Sequence, residues 1–393
     1  MTKYIKDPIY PNYLQFTKTD LRLIDNIALK RLTNIKQLGS LYEVFPGATH
    51  TRFLHSLGVA HLAETFTTTL LHNSNICIDS HLKKDIRNIK MAGLYHDVGH
   101  GPFSHVFDNH VLNKLCPNNI YKEHEIRSCD IIEKTCNKLF DSVIFNGYDI
   151  DNIKQYINPE NKLYDYRNQI VSNKINSIDV DKFDYLKRDP YYIGFTYAFD
   201  YTRLSNKVKI INNDIHYHED VVDDLFDMYY TRYKLHREIY NHKTVKSIEL
   251  MIGDILLYAN EEYNFPSILD HNDFLTLDDT ILSRIKYNPE KSLDKCRKLI
   301  NRIDTRDNYK QIYISNTETI GEIKDIILDS HKDNREDEFH FIKMKFNLCN
   351  GEKSPIDNIK FYNKNGKMEL KNMYIRKLIP EIYDETVVRV YKK

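Results

Sequence analysis

From about Thr19 to about Leu257, apolar residues recur mostly at three- and four-residue spacing, as in Leu21, Ile24, Ile27, Ala28 and Leu32. That is the period of helices that bury one face. The breaks fall at Gly-Pro and Asn-rich stretches, where helices stop. After Asn301 the pattern changes to short alternating runs, Phe339-His340-Phe341-Ile342-Lys343-Met344-Lys345-Phe346 and Val387-Val388-Arg389-Val390-Tyr391, separated by Asn, Gly and Pro. Alternation of that kind predicts strands. The expected fold is therefore mainly α, with a helical core over residues 1–300 and a small mixed α+β lobe over 301–393. No repeat of solenoid period and no long low-complexity linker interrupts it.

Composition narrows the function classes. The 56 basic and 56 acidic residues cancel, so net charge gives no support to nucleic-acid binding or to an anionic membrane surface. Any anion site has to be local. At 393 residues the chain is long enough to build a deep cleft. The six cysteines have no C-x-x-C spacing and read as free thiols of a reducing compartment. Met1 to Tyr10 is polar, and no later run is long and apolar enough to span a bilayer. The expected location is intracellular, cytoplasmic or nuclear, with no membrane partner.

The chemistry concentrates in Leu94-Tyr95-His96-Asp97-Val98-Gly99-His100-Gly101-Pro102-Phe103-Ser104-His105. A His-Asp pair ends an apolar helix, and a glycine-broken turn carries two more histidines. Imidazole and carboxylate together suit a divalent ion such as Mg, Mn, Fe or Zn. Two ligands are too few. A third is available in Thr51-Arg52-Phe53-Leu54-His55, and a fourth in Ile178-Asp179-Val180-Asp181-Lys182-Phe183-Asp184-Tyr185. An isolated His-Asp dipeptide is commonly a satisfied structural pair. Here it comes with the distant His, the distant Asp and a Gly99-x-Gly101-Pro102 turn that interrupts a helix rather than stabilising it.

Other residues repeat at helical steps around these. Asp181, Tyr185 and Asp189 are four apart and form one stripe on a helix expected to stop at Pro190, with Lys182 beside it. Arg232, His236 and Tyr240 form a second stripe with the same step, which could equally be a solvated basic face. Arg52, Lys182 and Arg232 supply the fixed positive charge that a polyphosphate needs. His100, His105 and His124 are candidates for proton transfer near neutral pH. Asp108 and Glu125 are placed to orient one of them.

At this point the sequence resembles a known family, the SAM-and-HD-domain deoxynucleoside triphosphate triphosphohydrolases. The resemblance runs through Asp7-Pro8-Ile9, Ile35-Lys36-Gln37-Leu38-Gly39, Phe45 to Val59, His96 to Asp108, His124-Glu125, Asp179 to Asp189 and Leu235 to Lys243, and then through Pro355 to Tyr362 and Leu378-Ile379-Pro380 to Tyr391. It covers nearly the whole chain, which begins close to the catalytic core, without the SAM domain of the family name. The resemblance implies an HD-domain helical phosphohydrolase core and places metal on His55, His96, Asp97 and Asp181. It implies that His100, His105, Asp108 and His124 line the reacting phosphate, with His124 and Asp108 as an acid/base pair. Gln37, Tyr185 and Asp189 would hold the sugar 3'-hydroxyl, while Leu38 and Tyr240 crowd the 2' position. Arg52, Lys182 and Arg232 would hold phosphates, with Mg on the phosphates as well, and His236 would sit near sugar and triphosphate. Asn241 stands where the family has a Gln facing the base.

The implied reaction is attack of an oriented water on the α-phosphate, giving a deoxynucleoside and inorganic triphosphate. Its substrates are deoxynucleoside triphosphates (dNTPs), and the resemblance implies a homo-oligomer, dimer or tetramer. Within the same fold the alternatives are another nucleotide phosphohydrolase, a phosphodiesterase or a catalytically weak nucleotide-binding module. The family is activated by nucleotides bound between subunits, and here the chain departs from it. Thr33 stands for a guanine-reading Arg, and His218 and Asp220 stand where basic residues are expected. An Asp facing a triphosphate repels it, so guanine-nucleotide activation is expected to be weak or absent.

Overall fold

The connection Ser74–Asp79 turns helix Arg52–Asn73 back on helix Ser80–Tyr95, and the Asp79 carboxylate caps the second helix by accepting from the Leu82 amide at 2.8 Å. This antiparallel hairpin is what brings the start of one helix, carrying Arg52 and His55, beside the end of the other, where His96 is the C-cap. Helix Arg52–Asn73 buries residues all round, from Leu57, Val59 and Ala60 to Leu70 and Leu71. Such a helix belongs at the centre of a fold. Helix Val180–Ile193 packs against it. Its N-cap Asp179 accepts from the Lys182 amide at 3.1 Å, which puts Asp181 in the first turn.

The computed structural model describes residues 2–140, 143–160, 165–197, 199–270, 272–331, 335–363, 366–368 and 383–393. The Leu378-Ile379-Pro380 motif lies outside the described residues. The fold is mainly helical with small sheets, as the periodicity predicts. Helix Val180–Ile193 does not stop at Pro190 but runs one turn further, to a left-handed Gly194 at φ 78°. The residues beyond the proline still find helical partners, and the Gly194 amide closes the helix on the Pro190 carbonyl.

Three sheets decorate the helices. Strands β1 (Thr2–Ile5) and β2 (Leu14–Thr17) form an N-terminal hairpin. Strands β3 (Val208–Ile211) and β4 (Asp214–His218) form a second hairpin inside the segment expected to be mostly helical. Its turn is Asn212-Asn213, with φ of 53° and 61°, a pair that tolerates the left-handed region a two-residue hairpin demands. That signal was present in the sequence and outweighed by the helical period on either side.

The C-terminal part contributes β5 (Lys310–Ser315), β6 (Phe339–Asn347), β7 (Phe361–Asn363), β8 (Gly366–Met368) and β9 (Asp384–Lys392). Both alternating runs of the sequence are strands, paired antiparallel as β6 and β9, with β5 on the other edge of β9. Val388 and Val390 pack on Ile323 and Ile327 of helix Ile320–Ser330 to make a small core of their own. Residue 300 lies inside helix Asp294–Asp304. Strand β7 joins β4 in parallel, Tyr217 opposite Phe361, so the later strands are sewn to the earlier fold.

Phe183 ties core to site. It is 1% exposed and packs edge-on to Phe66 and face-on to Tyr201, between Asp181 and Asp184 in sequence. Phe183→Ala is expected to lower unfolding stability by about 3–5 kcal/mol, read from urea midpoints at unchanged slope.

Candidate active site

Three helix ends converge on one point. His55 Nε2 stands 3.0 Å from Asp181 Oδ1 and 3.7 Å from Asp97 Oδ2, and His96 Nε2 stands 3.6 Å from Asp181 Oδ1 and 3.4 Å from Asp97 Oδ1. Both Nε2 atoms are buried without a hydrogen-bond partner. Their other nitrogens are held: His55 Nδ1 by Asp184 Oδ2 at 2.7 Å, His96 Nδ1 by the Gly93 carbonyl at 2.8 Å. Two imidazoles with fixed rings and free inward nitrogens, facing a carboxylate, are the donor set of a divalent ion. His55, His96 and Asp181 form the tight group, and Asp97 lies at its edge because Arg52 bonds its Oδ2.

The electrostatics say the same. Burial works against a charged His55, yet the carboxylates of Asp181 and Asp184 on either side of it push its pKa up to about 10. Burial likewise opposes ionisation of Asp181, but the His55 and His96 imidazoles beside it hold the carboxyl well below the usual range. A proton held between carboxylates marks a place that favours positive charge, and a metal ion takes such a proton's place when it binds. The residues present therefore fit a divalent ion.

Beside this point lies a cluster of three histidines. The His100 and His124 rings stack with centroids 3.8 Å apart, and His105 stands edge-on to both, at 5.1 and 5.8 Å. His124 Nδ1 is 3.2 Å from Asp108 Oδ2 and 3.4 Å from Glu125 Oε2. His100 Nε2 lies 3.4 Å from Asp97 Oδ1, which links this cluster to the first. Burial, together with Arg52 and His124, pushes His100 well below its ordinary pKa and leaves it neutral. His105 is on the open wall, exposed to solvent. Gly99 permits the approach, since a Cβ there would stand 2.1 Å from the His124 carbonyl.

The remaining candidates line the same cleft. Asp189 accepts from Tyr240 Oη at 2.5 Å and pairs with His50 Nε2 at 2.7 Å. Gln37 Oε1 is buried and without a partner, and the Gln37 backbone pairs with His50, amide to carbonyl, at 3.0 Å. Leu38 is half-buried beside it. Arg52 reaches Asp97, the Ser104 hydroxyl and the Gln37 carbonyl. Lys182 is turned to Asp179, at 2.9 Å. Tyr185 and Arg232 face one another, and Arg232 donates to the Asn347 carbonyl at 3.5 Å. The Arg232, His236, Tyr240 stripe is not a plain α-helical one, because Leu235–Tyr240 winds as a π-helix. The wider turn sets His236 edge-on to Tyr240 at 5.0 Å. Asn241 donates its side-chain amide to the His236 carbonyl at 2.8 Å. A second π-helix, Phe107–Leu112, carries Asp108. π-helical turns are rare and recur at functional sites.

Sequence reasoning missed the supports of these residues. Asp184, fully buried, holds His55 and accepts a bidentate pair from Arg188 at 2.8 and 2.9 Å as well as a bond from Tyr10 Oη. Arg188 also reaches Asp7 at 3.0 Å. Arg127 bonds Asp108 and the carbonyls of Gly99 and Tyr121. Asp279 accepts from the amides of Lys36 and Phe103, at 2.8 and 2.7 Å, and so ties the Gln37 loop to the His100 turn. Asp184 and Arg188 are one helical turn apart, a spacing that could have signalled their pairing. The long-range partners Tyr10, Asp7 and Asp279 left no such signal.

Asp184→Asn removes the anion that orients His55. Metal retained after dialysis is expected to show affinity lowered about 10- to 100-fold, with all four candidate ligands still present.

Comparison with known proteins adds the lineage. Residues 52–189 match the HD domain family. The chain is 32% identical to the deoxynucleoside triphosphate triphosphohydrolase SAMHD1 homolog of Dictyostelium discoideum, across 99% of this chain and 77% of that protein. It is 32% identical to the human deoxynucleoside triphosphate triphosphohydrolase SAMHD1, across 100% of this chain and 70% of that one. A protein of Acanthamoeba polyphaga mimivirus named for its HD domain is 36% identical across 90% of this chain and 83% of its own length. With an HD domain over residues 52–189 and identity sustained from end to end, the chain belongs to the SAMHD1 family of deoxynucleoside triphosphate triphosphohydrolases.

Proposed function

We propose that this cleft hydrolyses dNTPs at the α-phosphate, releasing a deoxynucleoside and inorganic triphosphate. The observation that carries it is the pair of unpartnered imidazole nitrogens facing Asp181, set directly beside a second histidine cluster with its own carboxylate. One half holds a cation, the other moves a proton. A divalent ion at His55, His96, Asp97 and Asp181, drawn from Fe, Mn, Mg or Zn, supplies Lewis acidity to the phosphoryl oxygens and acidifies water.

The chain's own groups do the rest. His124, with Asp108 at 3.2 Å on its Nδ1, exchanges the proton between water and leaving group, and Arg127 keeps Asp108 ionised. Neutral His100 and His105 donate hydrogen bonds to the reacting phosphate without carrying charge into the site. Arg52 and Arg232 offer guanidinium forks to phosphate oxygens, and Lys182 adds a point charge once it leaves Asp179, with Mg shared on the triphosphate. His236 stands near sugar and phosphates. Gln37, Tyr185 and Asp189 receive the 3'-hydroxyl, and Asn241 borders the base. Leu38 and Tyr240 close the 2' side. The Tyr240 hydroxyl is already committed to Asp189, so a ribose 2'-hydroxyl meets no free polar partner.

His96→Ala with Asp97→Ala is expected to abolish bound metal and triphosphate release together. Turnover at the wild-type level without metal would sink the assignment. His124→Ala should lose about 10²–10⁴-fold in rate while keeping its metal. Equal hydrolysis of GTP and dGTP would contradict the sugar reading, which expects a preference of about 10²-fold.

Regulation follows from the unusual cation pairing. Arg203 is bonded to Asp224 and to the Asp220 carbonyl, and Arg297 to Asp294. By the family resemblance these two arginines match basic residues that meet an activating triphosphate between subunits of a dimer or tetramer, and here they are occupied by the chain's own oxygens. The expected outcome is dTTP hydrolysis that changes less than about two-fold on adding GTP, with mass by light scattering unchanged.

A further inference from the structure

Away from the cleft, among the described residues, one other group of side chains has the composition and spacing of a metal site: His110, Asp254 and His340. They come from three separate elements, the π-helix Phe107–Leu112, the middle of helix Lys243–Tyr263 and strand β6. His110 Nε2 lies 3.3 Å from Asp254 Oδ1, and His340 Nε2 lies 2.9 Å from Asp254 Oδ2. Each imidazole thus addresses its own oxygen of a single carboxylate. Bonds of roughly 2.0–2.1 Å to a tetrahedral ion set neighbouring ligand atoms roughly 3.3–3.4 Å apart. The two nitrogen–oxygen separations already lie near that value, and the two imidazole centroids are 5.5 Å apart.

The surroundings support a cation there. Asp254 is 3% exposed and His340 is 8% exposed. Burial keeps His340 below its ordinary pKa, so its ring is neutral, and a shift of its single proton from Nε2 to Nδ1 frees Nε2 as a ligand. Helix Lys243–Tyr263 carries a glycine next to the carboxylate, and a Cβ on Gly253 would stand 2.1 Å from His110 Cδ2. The ring therefore needs that glycine to reach Asp254. Tyr309 Oη, at 3.0 Å from Asp254 Oδ2, supplies the outer hydrogen bond that orients a ligating carboxylate. Two ammonium groups now take the lone pairs, Lys393 Nζ at 3.2 Å from Asp254 Oδ2 and Lys114 Nζ at 3.4 Å from His110 Nε2. Both come from long side chains that can swing to water, Lys393 being 28% exposed in this pair. They show where positive charge is accepted.

We propose that His110, Asp254 and His340 form a second divalent-metal site, distinct from the catalytic one, for a borderline ion such as Zn²⁺ or Co²⁺ that favours two imidazoles and a carboxylate. Binding displaces the ammonium groups of Lys114 and Lys393, and the His340 proton passes from Nε2 to Nδ1. The ion then bridges the helical core and the sheet of β5, β6 and β9, a clasp independent of hydrolysis.

The test is cobalt titration of the full-length protein, followed by visible absorption and by metal analysis after gel filtration. Wild-type protein is expected to take up one more equivalent per chain than His340→Gln, with the absorption of a four-coordinate centre and a rise in Tm that the variant lacks. Hydrolysis of dNTP by the variant should stay at the wild-type level, since His340 is outside the cleft. Equal cobalt stoichiometry in the two proteins overturns the proposal. Should His340→Gln fold poorly, Lys114→Met with Lys393→Met gives an opposite readout. Removing the competing ammonium groups is expected to tighten the additional equivalent about ten-fold, and unchanged affinity overturns the proposal equally.

Discussion

His55 held between two carboxylates is the interaction on which the rest of this structure depends. One of its nitrogens is fixed by Asp184 at 2.7 Å and the other points at Asp181 at 3.0 Å. Both acids are on the same helix, in the first and second turns, so a single imidazole fixes how helix Val180–Ile193 lies against helix Arg52–Asn73. Three charges of mixed sign inside a protein are costly unless each is paired. Arg188 and Tyr10 complete the pairing on the Asp184 side. On the Asp181 side no protein group completes it, since His55 and His96 both leave an Nε2 without a hydrogen-bond partner. The fold is satisfied outward and left unsatisfied inward, at the place where chemistry needs an open coordination position.

The same division recurs one layer out. Arg127 and Asp279 bind mostly backbone oxygens and amides of the site's loops, Gly99, Tyr121, Phe103 and Lys36. Such bonds fix the path of the chain rather than the chemistry. Asp279 accepts two backbone amides, yet burial raises its pKa to about 6, which makes it the weakest ionised member of the support. The two π-helical turns serve the other end of the task. An inserted residue re-aims the side chains that follow, and it is at such turns that Asp108, His236 and Tyr240 face the cleft.

Much of this was legible from the chain itself. A His-Asp pair at a helix end is visible because the apolar period stops there and a glycine turn begins. The strands of β6 and β9 are visible because apolar and polar residues alternate along part of each, as in Met344-Lys345-Phe346 and Val388-Arg389-Val390. What could not be read was contact across sequence distance. Asp184 looks like one more acid in an acidic stretch until Gly58, with no side chain, lets it and Arg188 close over helix Arg52–Asn73. The β3–β4 hairpin was masked because four-residue strands are too short to compete with long helical periods around them. Helix Val180–Ile193 outran its proline, giving up one donor, and is closed a turn later by the left-handed Gly194 on the Pro190 carbonyl. His340 reads as one polar position of an alternating strand, and only the fold shows that it faces Asp254.

The positive charge of the site is paired within it. Arg52 is bonded to Asp97 and Lys182 to Asp179, so two of the three candidate phosphate-binding cations are spent on carboxylates of the same site. Arg232 differs. Its contacts are to neutral oxygens, the Asn347 carbonyl at 3.5 Å and the Tyr185 hydroxyl, and its Nε is buried with no partner. An ion pair must be broken before Arg52 or Lys182 can be given to a phosphate, whereas Arg232 has only a weak bond to exchange. On the function proposed above, Arg232 would be the first of the three to meet a phosphate, and Arg52 would be released to follow it where Asp97 is shared with a cation.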